Sequence, residues 1–314
     1  EISVNEGSIQ NKGLEFTLSA APVKTQDWEW TVFGNISINR NKVISISDDA
    51  ARKAIWVSPT ESVEAVYFEG DKLGNSNYCS SPVNIFMEGY PVGLFYGYKL
   101  KGIVPEGGEG LPMIEGGATG TAGQFDYYDP NNNGYRDIED RMIIGDPNPD
   151  FTYGFGTTLT FRRLTLTANF NGSYGNDICN FNASYLTDTY QTYRNVWKAA
   201  YYDAWTPKNT DTIYPAIGKI RYDDYHEVSS YYIEDGSFLR LNNLAVSYAI
   251  PFKDAKVLKK INVGVSATNL YTWTKYRGCD PEVNSFGSYI RRMGVDNSSY
   301  PQTRSFNFDL RFTF

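Results

Sequence analysis

From Ser305 to Phe314 the chain reads SFNFDLRFTF, with Phe306, Phe308, Leu310, Phe312 and Phe314 at every second position and Ser305, Asn307, Asp309, Arg311 and Thr313 between them. No helix sorts that pattern onto one side, because residues sharing a helical face lie three and four apart. A β-strand sorts it fully, since successive side chains point to opposite faces. The same period runs through Trp28/Trp30/Val32/Ile36/Ile38, Phe151/Tyr153/Phe155/Leu159/Phe161 and Leu164/Leu166/Ala168/Phe170/Gly172/Tyr174. Shorter versions are Leu14/Phe16/Leu18, Leu244/Val246/Tyr248/Ile250 and Ile261/Val263/Val265/Ala267. Most of these stretches are about ten residues long, the length at which a tilted strand crosses a bilayer.

Alternation alone fits two all-β architectures. In a soluble sandwich the apolar face is core and the polar face meets water. In a transmembrane barrel the apolar face meets lipid and the polar face lines a wet lumen. Connection lengths separate them. Short turns, such as Arg162-Arg163, alternate with the long segments 39–150, 175–236 and 272–303. Short turns on one side and long loops on the other are the habit of outer-membrane barrels, and such excursions are foreign to a compact sandwich. The order sets a parity: segment 39–150 holds zero or two crossings. Zero is expected, with the strand-like PVGLFYGYKL in an extracellular subdomain.

Backbone edges cannot face lipid, so such a sheet must close. Seven strands with walls this polar are too few for a large barrel, and the remainder is expected from sequence outside this chain. The opening EISVNEGSIQNKG lacks the basic-then-apolar pattern of a signal peptide and is expected to lie in the middle of a longer polypeptide. No apolar run reaches the roughly 18 residues of a membrane-spanning helix, and mean hydropathy is −0.43. A net charge of −7 without a Lys/Arg cluster argues against nucleic-acid partners. Cys79, Cys179 and Cys279 are too dispersed for a zinc site or a disulfide framework, and allow at most one bridge.

Several ordered stretches resemble the SusC/RagA-type TonB-dependent transporters of Bacteroidetes outer membranes. They are NEGSIQNKGLEFTL, YYDPNNNGYRDIEDRMIIGDPNPDFTYGF, FNGSYGNDICN, YYDAWTPKNTDTIYP, YYIEDGSFLRLNNLAVSYAIP, ATNLYTWTKYRGCDPEV and the closing GVDNSSYPQTRSFNFDLRFTF. The resemblance implies the C-terminal part of a plugged barrel of about 22 strands. It further implies import of oligosaccharides or peptides, a SusD-like lipoprotein lid, energy from TonB, and a terminal Phe read by the assembly machinery. The plug, the TonB-contacting segment and the first barrel strands are absent from these residues, so this stretch alone is not expected to transport.

The segment from Asp129 to Asp140 places oxygen-bearing side chains at positions 1, 3, 5, 9 and 12 (Asp129, Asn131, Asn133, Asp137, Asp140), a carbonyl at 7 (Tyr135) and glycine at 6 (Gly134). This is the spacing with which one loop wraps a calcium ion. Against it stand two Asn in place of Asp, Arg136 in the usual apolar slot, and Asp rather than Glu at the end. Two readings stand: a structural calcium loop, or an Asn/Asp/Gly turn held by side-chain-to-backbone bonds. His226, the only histidine, lies in polar DDYHEVSS and reads as a solvated loop residue. Glu115, Asp126 and Asp188 are a glycosidase pair only if geometry unites two of them. Gly154 and Gly156 lack the third glycine of a phosphate loop and read as small residues on the lumen face. Residues 195–205 read as a helix, with Trp197, Tyr201 and Trp205 as one stripe, either packed on the loops or offered to a sugar or lid. The leading expectation is therefore a non-enzymatic segment of an importer. A soluble, calcium-stabilised carbohydrate-binding or adhesin domain is the alternative, and a glycosidase the third.

Overall fold

The computed structural model describes residues 7–46, 52–73, 81–113, 115–190, 195–219, 227–252, 257–282 and 284–314. His226, Cys79 and the first residues of the opening motif lie outside the described residues. Seven strands form one antiparallel meander in chain order: β1 (Ser8–Lys24), β2 (Trp28–Ser45), β3 (Phe151–Phe161), β4 (Leu164–Tyr174), β5 (Phe238–Pro251), β6 (Lys260–Thr274) and β7 (Ser305–Thr313). The outer edges of β1 and β7 have no partner strand among the described residues.

Register turns the sequence alternation into a continuous surface. One row of paired residues runs Val23, Trp30, Leu159, Leu166, Val246, Val265, Phe308 across all seven strands. Nearly every member is solvent-exposed, from 38% at Trp30 to 70% at Phe308. The opposite face carries Thr31, Thr158, Thr167, Ala245, Ser266 and Asn307 in the adjacent row. Aromatic rings bracket the apolar face. Near the short turns Trp28 packs on Phe161 at 4.3 Å. At the other end Phe151 stacks on Tyr174 at 5.2 Å and Tyr271 meets Trp273 at 4.8 Å.

β5 begins at Phe238, well before the alternation starting at Leu244. Pairing with β4 passes from Asn169–Asn243 to Phe170–Leu241, leaving Asn242 as an extra residue. The pairing with β6 shifts at the same place, where Asn269 takes φ 52°. This bulge moves the apolar phase from Leu239 and Leu241 to Leu244 and Val246, so all four stay on one face. β2 runs on to Ser45, and beyond Ser37 it pairs only with β1. That projecting hairpin end buries Val43 against Phe86 and Val92, and Val43 exchanges backbone hydrogen bonds of 2.9 Å with Gly89 and Tyr90.

The long connections build their own packed layer. Segments of 52–145 make a six-stranded sheet ordered 61–65, 53–58, 142–145, 94–97, 84–87, 67–69. No described residue between β2 and β3 adds a strand to the seven-stranded sheet. Asp177–Asn180 pairs antiparallel with Ile233–Asp235 and parallel with Val295–Asp296, joining the second and third connections. The main buried cluster draws on all three, with Val83, Phe95, Met142, Phe181, Tyr231 and Val295 among its members. The sheet itself contributes few buried apolar residues, such as Val43, Phe238 and Ala267. The core therefore lies in the connections, and the sheet leaves its apolar face outside.

The expected helix shrinks to Lys198–Tyr202 and begins after an extended Trp197. Consequently the aromatic stripe does not form one face: Trp205 is buried, Trp197 packs on the main cluster, and Tyr201 is exposed. Five residues are too short to carry the periodicity read from the sequence.

Candidate functional site

Two places on this frame carry polar groups beyond what the fold needs. The first is the turn from Asp129 to Asp140. The Asp129 carboxylate accepts from the backbone amides of Asn133 (3.2 Å) and Gly134 (2.9 Å). Asn131 Oδ1 accepts from the Asn133 amide, and Asn133 Oδ1 from the Tyr135 amide, each at 3.1 Å. Gly134 holds φ 87°, a conformation costly for any residue with a Cβ. Asp137 then caps a single turn, Ile138–Asp140, in a reciprocal capping box with Asp140. Asp140 Oδ2 accepts from the Asp137 amide at 2.9 Å. Asp140 is wholly buried, and its Oδ1 has no hydrogen-bond partner among the described residues. Burial pushes the Asp140 carboxyl up to about 7, and the nearby charges of Asp137, Asp129 and Glu139 add to the rise.

Arg136 does not weaken this turn as its position suggested. It is 4% exposed, with its guanidinium 4.4 Å from the Tyr127 ring centroid and 5.1 Å from that of Tyr98. A flat cation between aromatic faces fills the slot that an apolar side chain would. On the far side Arg141, 1% exposed, pairs with Glu69 and donates to the carbonyls of Pro82 and Tyr96. Both flanks of the turn are thus locked into the loop layer. No three His, Cys, Asp or Glu side chains converge as a metal cluster among the described residues. Any cation here would lean on the amide and carbonyl oxygens of Asn131, Asn133 and Tyr135 as well.

The second place is a cleft of about 640 Å³ on the polar face of the sheet, lined by Asn35, Asn169, Asn171 and Asn242, with Asn284 and Glu282 from the third connection at its rim. Sequence reading missed it, although NFN at 169–171 and GN at 34–35 carry the signal. Gly154 and Gly156 make room for it: a Cβ at Gly154 would strike Asn35 Oδ1, and one at Gly156 would strike Asn169 Oδ1 and the Phe33 ring. The two glycines are therefore small residues on the polar face, as their setting suggested. The Oδ1 atoms of Asn169 and Asn171 are buried without a hydrogen-bond partner among the described residues. Above the cleft Arg240, 3% exposed, pairs with Asp280 and with Glu282 (2.8 Å), and donates to Thr272 Oγ1 at 3.0 Å. That pairing ties the third connection to β5.

The remaining candidates are dispersed. Asp126 pairs with Lys101 at 3.6 Å, Asp188 is buried and accepts from the Tyr190 amide, and Glu115 is exposed in a separate turn. Nothing in this geometry unites two of them. Cys179 is buried and Cys279 is exposed, and neither forms a disulfide among the described residues.

A search of protein-family models finds no match. Among characterised proteins, the chain is 32% identical over 324 residues to TonB-dependent receptor P3 of Formosa agariphila, covering 99% of this chain and 29% of that protein. It is 26% identical over 319 residues to TonB-dependent receptor SusC of Bacteroides thetaiotaomicron, covering 100% of this chain and 27% of that one. These relatives carry receptor names rather than enzyme names. Of solved structures, the RagAB peptide transporter superposes with TM-score 0.70 at 21% identity, over 98% of this chain and 30% of that chain. At that identity the likeness speaks for the fold. The chain spans under a third of the length of the relatives it matches. Over nearly its whole length the chain is thus similar to TonB-dependent receptors, SusC among them, and it has the fold of a stretch of their β-barrel.

Proposed function

We propose that this chain supplies the C-terminal wall of an outer-membrane importer that takes up oligosaccharides or peptides beneath a SusD-like lipoprotein lid, with energy from TonB. The observation that carries the reading is the exposed apolar face running in register through seven strands. Ten residue rises separate Phe151 from Phe161. At ~3.3 Å each and a tilt of ~40°, that spans ~25 Å, the height of the apolar band in such barrels. Lipid satisfies this face, but it cannot satisfy the open edges of β1 and β7, so further strands flank both. Seven strands are about a third of a barrel of about 22, in keeping with the share of its relatives that the chain spans.

On this reading the packed connections, 39–150, 175–236 and 272–303, stand outside the cell, and the amide-lined cleft faces the plug and the cargo path. Uncharged amides that both donate and accept suit hydroxyl-rich sugars and peptide backbones alike. The test is fractionation of the full-length receptor in its own host. The expected result is recovery in the outer membrane after an alkaline wash, co-purification of the neighbouring lipoprotein, and loss of growth on one glycan or peptide mixture upon deletion. Release into the soluble fraction would favour the calcium-stabilised carbohydrate-binding domain instead.

A further inference from the structure

We propose that residues 129–140 bind a calcium ion, through side-chain oxygens of Asp129, Asn131, Asn133, Asp137 and Asp140 and the carbonyl of Tyr135. The spacing alone does not carry this, since an Asx-rich turn accounts for it equally. The deciding observation is Asp140. A carboxylate that is wholly buried needs a partner for each oxygen, or the full desolvation cost is left standing. Its Oδ2 accepts from the Asp137 amide, which ties the carboxylate to the turn, and Oδ1 is buried with no donor among the described residues.

The rest of the turn is arranged to leave oxygen lone pairs available rather than to consume them. Asp129, Asn131 and Asn133 each accept backbone amides from within the turn, and such bonds orient the side-chain oxygens without exhausting them. Charge supports the same end. Asp129, Asp137 and Glu139 all act on Asp140, so negative charges crowd the turn, and among the described residues no Lys or Arg forms an ion pair with them. Arg136 points away into its aromatic slot, and Arg141 is engaged by Glu69. A hard divalent cation with all-oxygen ligands answers both the orphan oxygen and the repulsion. Flexible seven-fold geometry with amide and carbonyl donors favours calcium over magnesium. The inference concerns a metal site and stands apart from the transport reading.

The test uses the full-length receptor in detergent, stripped with chelator and titrated with terbium chloride, whose emission is sensitised by Tyr135. Saturable emission is expected, displaced by calcium chloride in the ~10⁻⁴–10⁻³ M range of extracellular sites with few charged ligands. Magnesium chloride at equal concentration should not displace it. Asp140→Asn should weaken the calcium competition about tenfold or more, because one charged ligand is lost. Asn133→Ala, an exposed position that leaves the core intact, should weaken it as well. On the parent alone, calcium should protect the Arg136 and Arg141 bonds from trypsin. Absent emission, or emission and protection unchanged in both variants, overturns the site.

Discussion

Phe170→Arg tests which face of the sheet meets lipid. On β4 this residue lies four positions from Tyr174 and six from Leu164, and it pairs with Phe155. At ~3.3 Å per residue and ~40° of tilt it sits ~10 Å from one aromatic end and ~15 Å from the other, near mid-height. An arginine at such a depth costs ~2–4 kcal/mol. The substitution also removes a ring stack on Phe155 at 4.8 Å and 13°, worth ~0.5–1.5 kcal/mol. Phe170→Leu removes the stack alone and separates the two contributions. Val246 pairs with Leu166, two pairs from the Leu164–Tyr248 step beside the short turns. Val246→Arg should therefore cost less than Phe170→Arg, toward the ~0–1 kcal/mol of interfacial positions. Thr167→Arg points to the other face and loses one hydroxyl contact to Thr158 at 3.2 Å, about 1 kcal/mol at most. Asn169 is a poorer control than Thr167, because its Oδ1 is buried over Gly156. The assay is urea unfolding in lipid vesicles of the protein that carries this chain, read by the heat-modifiable gel shift. If Thr167→Arg costs as much as Phe170→Arg, or Val246→Arg costs more, the face assignment and its depth scale are wrong.

Two other substitutions probe the loop layer. Arg240→Ala strands the buried Asp280 carboxylate, and losing one partner of such a pair costs ~3–5 kcal/mol. Limited proteolysis should show new cuts in 275–303, with Arg240→Met/Asp280→Leu recovering most of the protection; equal sensitivity of single and double variants would refute the pairing argument. Burial, with Asp146 and Asp235 beside it, raises the Asp177 pKa. Its folded form thus binds a proton more tightly than the unfolded chain, so its contribution is greatest at low pH. That contribution is lost as pH rises from the ordinary carboxylate range through the raised value. Asp177→Asn, whose amide oxygen can still accept from the Asp146 amide, should flatten the fall in stability as pH rises above the ordinary carboxylate range. An unchanged slope would count against it.

The barrel strands were legible because their chemistry is binary: each residue meets either an apolar or a wet surrounding, and a period of two records it. Where that record broke, the reading broke. Asn242 interrupts the phase of β5, so Phe238 to Leu241 did not join the alternation until the bulge was seen. The outer half of β2, NRNKVIS, has lost contact with β3 and carries polar residues on both faces, so it reads as loop. The layer built from 52–145 was visible only as an excursion, since its strands are three to six residues long and their partners are distant in sequence. In the candidate turn, spacing named every oxygen donor. It could not show that Arg136 is satisfied by Tyr98 and Tyr127, nor that Asp140 is buried with one oxygen unmatched.

The little sheet made by Asp177–Asn180, Ile233–Asp235 and Val295–Asp296 has a consequence for how this fold can diversify. Its centre strand takes an antiparallel neighbour from its own connection and a parallel one from the next, while Cys179 packs in the same cluster as Phe95 and Met142 of the first. The main cluster belongs to no single connection, although a smaller one, with Ile55, Ile85, Met87 and Leu94, lies wholly within the first. Exchanging one of them with a relative's would leave foreign side chains against two unmatched surfaces, and close-packed interiors tolerate that badly. The recombining unit is the whole trio. A chimera that grafts a new set onto these strands should take all three segments together, with the residues at Val43 and Arg240 that clamp them to the wall.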